Sequence, residues 1–301
     1  MELKHLQYFT EVVKQGSFSK AAEYLYISQP NISNVIKNLE EELDVKLLIR
    51  TTRKLELTDT GKLLFQYGQQ VSQTLQQFYQ ELDDTKNSKK GYVKIGIFPM
   101  LGTEFFTKMI SEFHKQYPEI RVRFVEDGAS NLKKALIQGE LDLVVMPYPI
   151  DEELFDFFPF LKGDLRILVH QHHPLANNES VKWSELLDEN FIIFREGFTI
   201  HDTIMEECGR LGFEPNIICE TSQWNFMMEM VSINQGITIL PQSKFNEIDQ
   251  NNLKLKILPL VEPEKNWNLG IAWRKECYLS FATRTWIQFL KGTLEREYSI
   301  S

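Results

Sequence analysis

The chain has 301 residues, 43% of them hydrophobic and 25% charged, an ordinary globular composition with length enough for two or three domains. No apolar run approaches a membrane span, Met1-Glu2-Leu3-Lys4 leads straight into an amphipathic helix instead of a signal peptide, and Cys208, Cys219 and Cys277 form neither a zinc-ligand spacing nor a disulfide framework. A cytoplasmic protein with no membrane partner is therefore expected, and its net charge of −9 is unevenly spread: residues 1–90 hold 12 Lys/Arg and 12 Asp/Glu, so the rest of the chain carries all of the excess acid. A neutral head can still bind DNA if its basic groups face one way, with a modest and salt-sensitive phosphate contribution.

Residues 3–15 read as a first helix, with Leu3, Leu6, Phe9 and Val13 on one face and Gly16 past its end. Ser17 or Ser19 caps a second, Lys20 to Tyr26, where Ala21 and Ala22 let another helix approach. A tight turn at Ile27-Ser28 leads into the third, Ser28 to Leu43. Ser28 suits its N-cap and Pro30 its first turn. Ile32, Ile36, Leu39 and Leu43 share one face. The opposite face opens with Gln29, Asn31, Ser33, Asn34 and Lys37, short amide, hydroxyl and basic side chains at the N-terminal end. A recognition helix needs this arrangement, since its first turns enter the major groove and Asn or Gln can pair with adenine edges. Two β-prone runs then flank Thr51 to Lys54 and read as a wing, with Arg50, Arg53 and Lys54 near its tip for phosphates or the minor groove.

At this point the chain closely resembles the LysR-type transcriptional regulators. The matching residues are Leu6, Phe9, Val12, Gly16-Ser17-Phe18, Ala21-Ala22, Leu25, Ser28-Gln29-Pro30, Ser33, Ile36, Leu39-Glu40, Leu43, Leu47, Arg50, Arg53, Leu57-Thr58, Gly61 and Leu64. Asp44 stands where the family usually has glycine, and Asp tolerates the left-handed conformation better than most residues. Leu48 stands where the family usually has phenylalanine, as an anchor of the wing.

Thr58 and Asp59 can cap a long helix to about Thr85, with Leu64, Tyr67, Val71, Leu75, Phe78 and Leu82 in one apolar stripe. So long and narrow a stripe calls for a second helix, and the resemblance implies a linker that dimerises with its counterpart. Asn87-Ser88-Lys89-Lys90-Gly91 reads as a hinge. Beyond it the pattern is strand Tyr92–Pro99, helix Thr103–Tyr117, strand Arg121–Glu126, helix Asn131–Gln138 and strand Leu141–Met146, a βαβαβ unit. After a crossover, strands Phe157–Leu161 and Leu165–His170 precede a second lobe: strand Phe191–Phe194, helix His201–Leu211, strand Asn216–Thr221, helix Trp224–Asn234 and strand Ile237–Leu240. Leu255–Pro259 and Leu269–Trp273 return toward the first lobe, and Leu279–Leu294 closes it.

The expected fold class is α/β with an N-terminal winged helix-turn-helix, joined by a long linker helix to a two-lobed domain that resembles periplasmic binding proteins and the family's effector domain. Expected boundaries are 1–58 for the DNA-binding domain, 59–90 for linker and hinge, and 91–301 for the effector domain. Within that domain, lobe I takes about 91–161 and 265–301 and lobe II about 162–264.

Ligands of open α/β lobes bind outside the carboxyl ends of the strands. There stand Phe98, Pro99, Met100, Gly102, Thr103, Gly128, Ser130, Tyr148, Arg195, Phe198, Thr199, Ser222 and Trp224, the candidate effector-binding residues. Helix starts with hydroxyls suit an anion, although each hydroxyl is by itself a plain N-cap, and Arg195 suits a carboxylate. A small organic acid is the expected effector. His170, His172 and His173 have no Cys or carboxylate close by in sequence, and His173-Pro174-Leu175-Ala176 resembles a family loop without metal, so neither metal nor cofactor is expected. Redox-sensing members carry a reactive cysteine pair in the second lobe. Here Cys208 and Cys219 read as structural, with a thiol sensor as the alternative. Catalytic motifs are absent, so neither an enzyme nor a solute-binding protein is favoured. The resemblance implies a dimer, assembling to a tetramer, on an imperfect DNA palindrome.

Overall fold

The first helix, α1 (Leu3–Gln15), stops where Gly16 takes a left-handed conformation (φ 59°). Ser17 caps α2 (Phe18–Tyr24) by accepting the Lys20 N–H, so the cap is Ser17 and not Ser19. Ser28 is extended at the start of α3 (Gln29–Leu43) but makes no capping bond with its side chain, and Asp44 ends α3 in the left-handed region (φ 51°), the conformation usually left to glycine. The wing follows as β1 (Leu48–Arg50) paired antiparallel with β2 (Leu55–Leu57). Phe9, Val12, Ile32, Ile36, Leu39 and Leu47 are fully buried between these elements, and Ala21 at 0% exposure lets α2 sit close. The structure, a computed structural model, describes residues 1–50, 55–86, 90–99, 101, 105–243, 254–275 and 277–298. The chain divides into two units, Met1–Lys86 and Asn87–Ser301.

The linker helix α4 (Asp59–Lys86) is capped by Thr58, whose hydroxyl accepts the Gly61 N–H at 2.9 Å. Its first turns pack on the helix-turn-helix: a Cβ on Gly61 would lie 2.1 Å from the Leu47 carbonyl oxygen, and one on Gly68 would lie 2.5 Å from the Thr10 hydroxyl of α1. Leu64 is thereby drawn into the small domain's own core. The apolar stripe left exposed on α4 is Leu63, Tyr67, Val71 and Phe78, with Tyr79 beside it. The expected stripe through Leu64 is corrected by one position at its start, because the glycines let α1 and the wing cover that side.

In the second unit, β3 (Gly91–Ile97), β4 (Ile120–Glu126) and β5 (Leu143–Pro147) run parallel, with α5 (Thr107–Gln116) and α6 (Ala129–Ile137) between them. With β6 (Phe155–Leu161) and β13 (Leu269–Arg274) they make a sheet of order β4-β3-β5-β13-β6, in which β13 is antiparallel to both neighbours. Lobe II begins with β7 (Leu165–His170), β8 (Val181–Lys182) and β9 (Asn190–Phe194), then α7 (Thr199–Arg210), β10 (Asn216–Thr221) and α8 (Trp224–Ser232). It ends with β11 (Thr238–Pro241) and β12 (Leu255–Val261), giving a sheet of order β11-β7-β12-β8 and a parallel β9/β10 pair. So β12 pairs within lobe II, inside the expected 162–264, and β13 joins the sheet of lobe I. The closing helix α9 (Phe281–Tyr298) sets Trp286 against Phe113 of α5 with ring centroids 4.6 Å apart. Among the described residues no helix is long and apolar enough to cross a membrane.

Among the described residues one charged side chain, Glu40, is buried in the winged unit's core. The Glu40 carboxylate accepts the N–H groups of Leu47 (2.8 Å) and Leu48 (3.2 Å) and pairs with the Lys46 ammonium (3.1 Å). Burial alone would raise its carboxyl, but the bonds from Leu47, Lys46 and Leu48 together hold it below the ordinary 4.5. A depressed acid stabilises the fold above its unfolded value, and that contribution is lost as pH falls through the folded one. Glu40→Gln is therefore expected to cost about 1–3 kcal/mol at pH 7, read as faster hydrogen exchange at the Leu47 and Leu48 amides. The gap from the parent protein should close as pH drops below 4.5. A gap independent of pH would contradict an ionised Glu40.

Candidate nucleic-acid interface and inter-lobe cleft

Because Ile32, Ile36 and Leu39 are fully buried, the other side of α3 must face solvent. Ser28, Gln29, Pro30, Asn31, Asn34 and Lys37 are exposed and Ser33 is half-buried. The expected reading face is thus exposed, and among the described residues Lys37 meets the exposed Glu41 one turn on, at 3.4 Å. Arg50 is the last residue of β1; Arg53 and Lys54 lie outside the described residues. Sequence reasoning passed over Tyr24 and Tyr26, which stand 63% and 96% exposed beside this face, Tyr26 with φ 54° in the turn into α3. An aromatic, Tyr26, in a turn that sterically favours small residues is the available signal.

In the second unit the two chain crossovers meet, the Trp267 N–H donating to the Gly163 carbonyl at 2.6 Å. Trp267 faces Phe98, at the end of β3, with centroids 6.1 Å apart. Together with Phe198, Thr199 and Ile200 at the start of α7 they line a small apolar recess. Phe98, Phe198 and Thr199 are therefore brought together as expected, and Trp267 and Ile200 join them. Trp267 stands just before β13, and only the pairing of the crossovers turns it inward.

Gly128 and Arg195 meet at the same place for another reason. A Cβ on Gly128 would lie 2.3 Å from the Gly197 carbonyl oxygen, so the loops after β4 and β9 touch backbone to backbone. Arg195 donates from Nη2 to Asp127 Oδ1 at 3.0 Å, so its carboxylate partner is in this chain. The guanidinium lies 5.2 Å over the Phe198 ring, which stacks on Phe194 at 5.0 Å.

The other candidates fall elsewhere. Pro99 is half-buried beside Phe98, whereas Met100, Gly102 and Thr103 lie outside the described residues. Ser130 is exposed, Tyr148 is half-buried with its ring near Phe157, and Ser222 and Trp224 are half-buried at the start of α8; none of the four lines the recess. Nor are the hydroxyls N-caps. Gly128, Phe198 and Gln223 take those positions, leaving Ser130 and Thr199 inside the first turns and Ser222 before the cap. Helix boundaries set one or two residues away by the strand ends account for this difference.

Comparison with known proteins bears on both units. Residues 3–62 match the model for the bacterial regulatory helix-turn-helix protein of the lysR family, and residues 86–295 match the LysR substrate binding domain. The chain belongs to the LysR family of transcriptional regulators. It is 44% identical over 294 residues to the uncharacterized HTH-type transcriptional regulator YwbI of Bacillus subtilis, covering 98% of this chain and 97% of that one. Among solved structures it is similar to a full-length OxyR variant from Pseudomonas aeruginosa (25% identity, TM-score 0.65, 98% and 95% of the two chains). It is also similar to full-length BenM (27% identity, TM-score 0.58, 99% and 98%).

In this regulator Cys208 is buried in α7, and burial, then the neighbouring Glu207 charge, pushes its thiol up to about 11. Glu207 is itself kept ionised: burial would raise it, but Lys265 and Arg210 outweigh that and lower it. Cys219 and Cys277 are half-buried free thiols. His173 accepts the Leu175 N–H at Nδ1 and meets Glu189 at Nε2, 3.1 Å away, which fixes its ring as a turn-former. Among the described residues no group of His, Cys, Asp and Glu is arranged to hold a metal. At pH 8 iodoacetamide should label Cys208 on the order of a hundredfold more slowly than an ordinary thiol, scored by peptide mass spectrometry. A rate matching the unfolded protein's would contradict the buried, protonated thiol.

Proposed function

We propose that this regulator reads an imperfect DNA palindrome as a homodimer, in the cytoplasm, and that a small carboxylate-bearing effector in the inter-lobe cleft changes how its DNA-binding heads are spaced. The observation that carries the DNA role to particular residues is the exposed polar face of α3. Gln29, Asn31 and Asn34 offer amides to base edges, and Ser28, Ser33 and Lys37 suit bases or phosphates. Pro30 fixes the first turn. Arg50, Arg53 and Lys54 are assigned to phosphates or the minor groove. The assigned domains are 1–58 for DNA, 59–90 for the linker and 91–301 for the effector.

The exposed stripe Leu63, Tyr67, Val71 and Phe78 supports dimerisation along α4, since large apolar side chains at steps of four, four and seven need a partner helix. The effector domain is assigned to a further contact that makes a tetramer. An effector acts only through a difference in affinity between two arrangements of lobes or subunits, and that difference is passed to head spacing and DNA bend. An acid is favoured as effector by Arg195 beside the apolar recess. A thiol sensor is disfavoured by the buried, protonated Cys208.

Footprinting on the DNA upstream of the regulator's own gene, with and without pooled small organic acids, tests this reading. A dyad footprint that shortens or shifts with one acid is expected; a footprint indifferent to every acid would overturn the effector class. On the protected site, Asn31→Ala or Gln29→Ala should lose about 1–3 kcal/mol of discrimination against altered bases. Arg53→Ala should weaken all DNA alike and reduce the salt slope by about one. Unchanged site preference in both helix variants would remove the assigned roles. Tyr67→Asp with Phe78→Asp should yield monomers in sedimentation, and a dimer of undiminished stability would place the contact elsewhere.

A further inference from the structure

One contact between the lobes at the cleft is an ion pair whose acid has the same chemistry as the proposed ligand. Asp127 follows β4 in lobe I and Arg195 follows β9 in lobe II, and they meet at 3.0 Å. The Asp127 carboxylate has further donors: Oδ1 accepts the Gly128 N–H at 2.7 Å and Oδ2 accepts the Asn131 amide at 3.0 Å. Arg195 is held over Phe198, and Phe198 lines the recess, so the guanidinium stands beside it. At the same point Gly128 and Gly197 are in backbone contact. The enclosed part of the recess has room for about one water molecule, so any acid must part these loops to enter.

We propose that Asp127 is a built-in stand-in for the effector's carboxylate. It occupies Arg195 and latches the empty cleft shut, and a small acid opens the latch by taking the guanidinium. This rests on the reading of the cleft as an acid-binding effector site. The pair is suited to exchange: its side chains are 48% and 32% exposed, and ion pairs so exposed are weak. The aromatic support under Arg195 is independent of Asp127, so the guanidinium keeps its place when the aspartate leaves. Asp127 keeps its Asn131 and Gly128 bonds on release and is not stranded. Ligand affinity is then reduced by the fraction of molecules latched, and removing the latch returns it.

The test uses the full-length protein and acetate, the smallest carboxylate, with acetamide as the neutral control and chloride to match ionic strength. Binding is read by saturation-transfer NMR. Asp127→Asn keeps an acceptor oxygen for the Gly128 N–H but loses the charge. It should bind acetate about threefold or more tighter than the parent protein. Arg195→Gln should abolish acetate binding in both backgrounds, and acetamide should not bind. Without ligand, Asp127→Asn should also exchange amide hydrogens faster at 127–131 and 195–200, with β3 and β5 unchanged. That second readout separates a released latch from general unfolding. Equal, Arg195-dependent acetate affinity in both proteins would overturn the latch and leave the acid reading standing. No Arg195-dependent binding in Asp127→Asn would overturn the latch, and the footprint's response to larger acids would then decide the cleft reading on its own. Exchange unaltered at 127–131 and 195–200 would likewise overturn it.

Discussion

A helix can offer one face to a partner only if its other face is held, and in this regulator Ile32, Ile36 and Leu39 hold it. Their complete burial against Phe9, Val12 and Leu47 fixes the rotation of α3, so that Gln29, Asn31 and Asn34 face outward. Rotation is set by packing, and the start of the helix by the extended Ser28 and Pro30. Glu40, on the buried side of the same helix, then fixes the wing. Its carboxylate receives the first two N–H groups of the Leu47-Leu48 segment, so the polar bond ties strand to helix where apolar contacts alone would let β1 slide. Gly61 completes the arrangement by admitting the Leu47 carbonyl against α4. Helix α3, the wing and the linker helix thus meet through Glu40, Leu47 and Gly61.

The effector unit uses the same economy of contact between lobes. Two crossovers meet at Gly163 and Trp267, and the loops after β4 and β9 meet at Gly128 and Gly197. The apolar recess is lined by Phe98, Phe198 and Trp267 among others, and Arg195, paired with Asp127, lies over the Phe198 ring. Core packing is continuous across the unit, but the Asp127–Arg195 pair at the cleft is partly exposed. A ligand of modest differential affinity is enough to shift such a contact set.

Much of this was legible in the sequence because it is local. Apolar spacing marks α1 and α3, whereas α2 runs Phe18–Tyr24 instead of the expected Lys20–Tyr26 because Ser17 caps it and Tyr26 turns left-handed; the wing is framed by β-prone runs, and the left-handed end of α3 follows from the tolerance of Asp44. The alternation of strands and helices gave both lobes. What was hidden depends on residues distant in the chain. The start of the exposed stripe on α4 moved from Leu64 to Leu63 because Gly61 and Gly68 admit the wing and α1, which periodicity does not register. Arg195 was recognised as a carboxylate binder, but its partner Asp127 is 68 residues away. Trp267 reaches the recess only through the pairing of two crossovers. The hydroxyls expected as caps missed those positions by a residue or two, since caps follow from where a strand releases the chain.

The central claim is that the exposed face of α3 reads DNA in pairs. Selection of bound sequences from random double-stranded DNA by the purified full-length protein, at low and at physiological salt, tests it most directly. The account predicts enrichment of an imperfect palindrome with two half-sites on one face of the duplex, surviving at the higher salt. Recovery of sequences with no shared site at either salt, from protein shown to be folded, would contradict it.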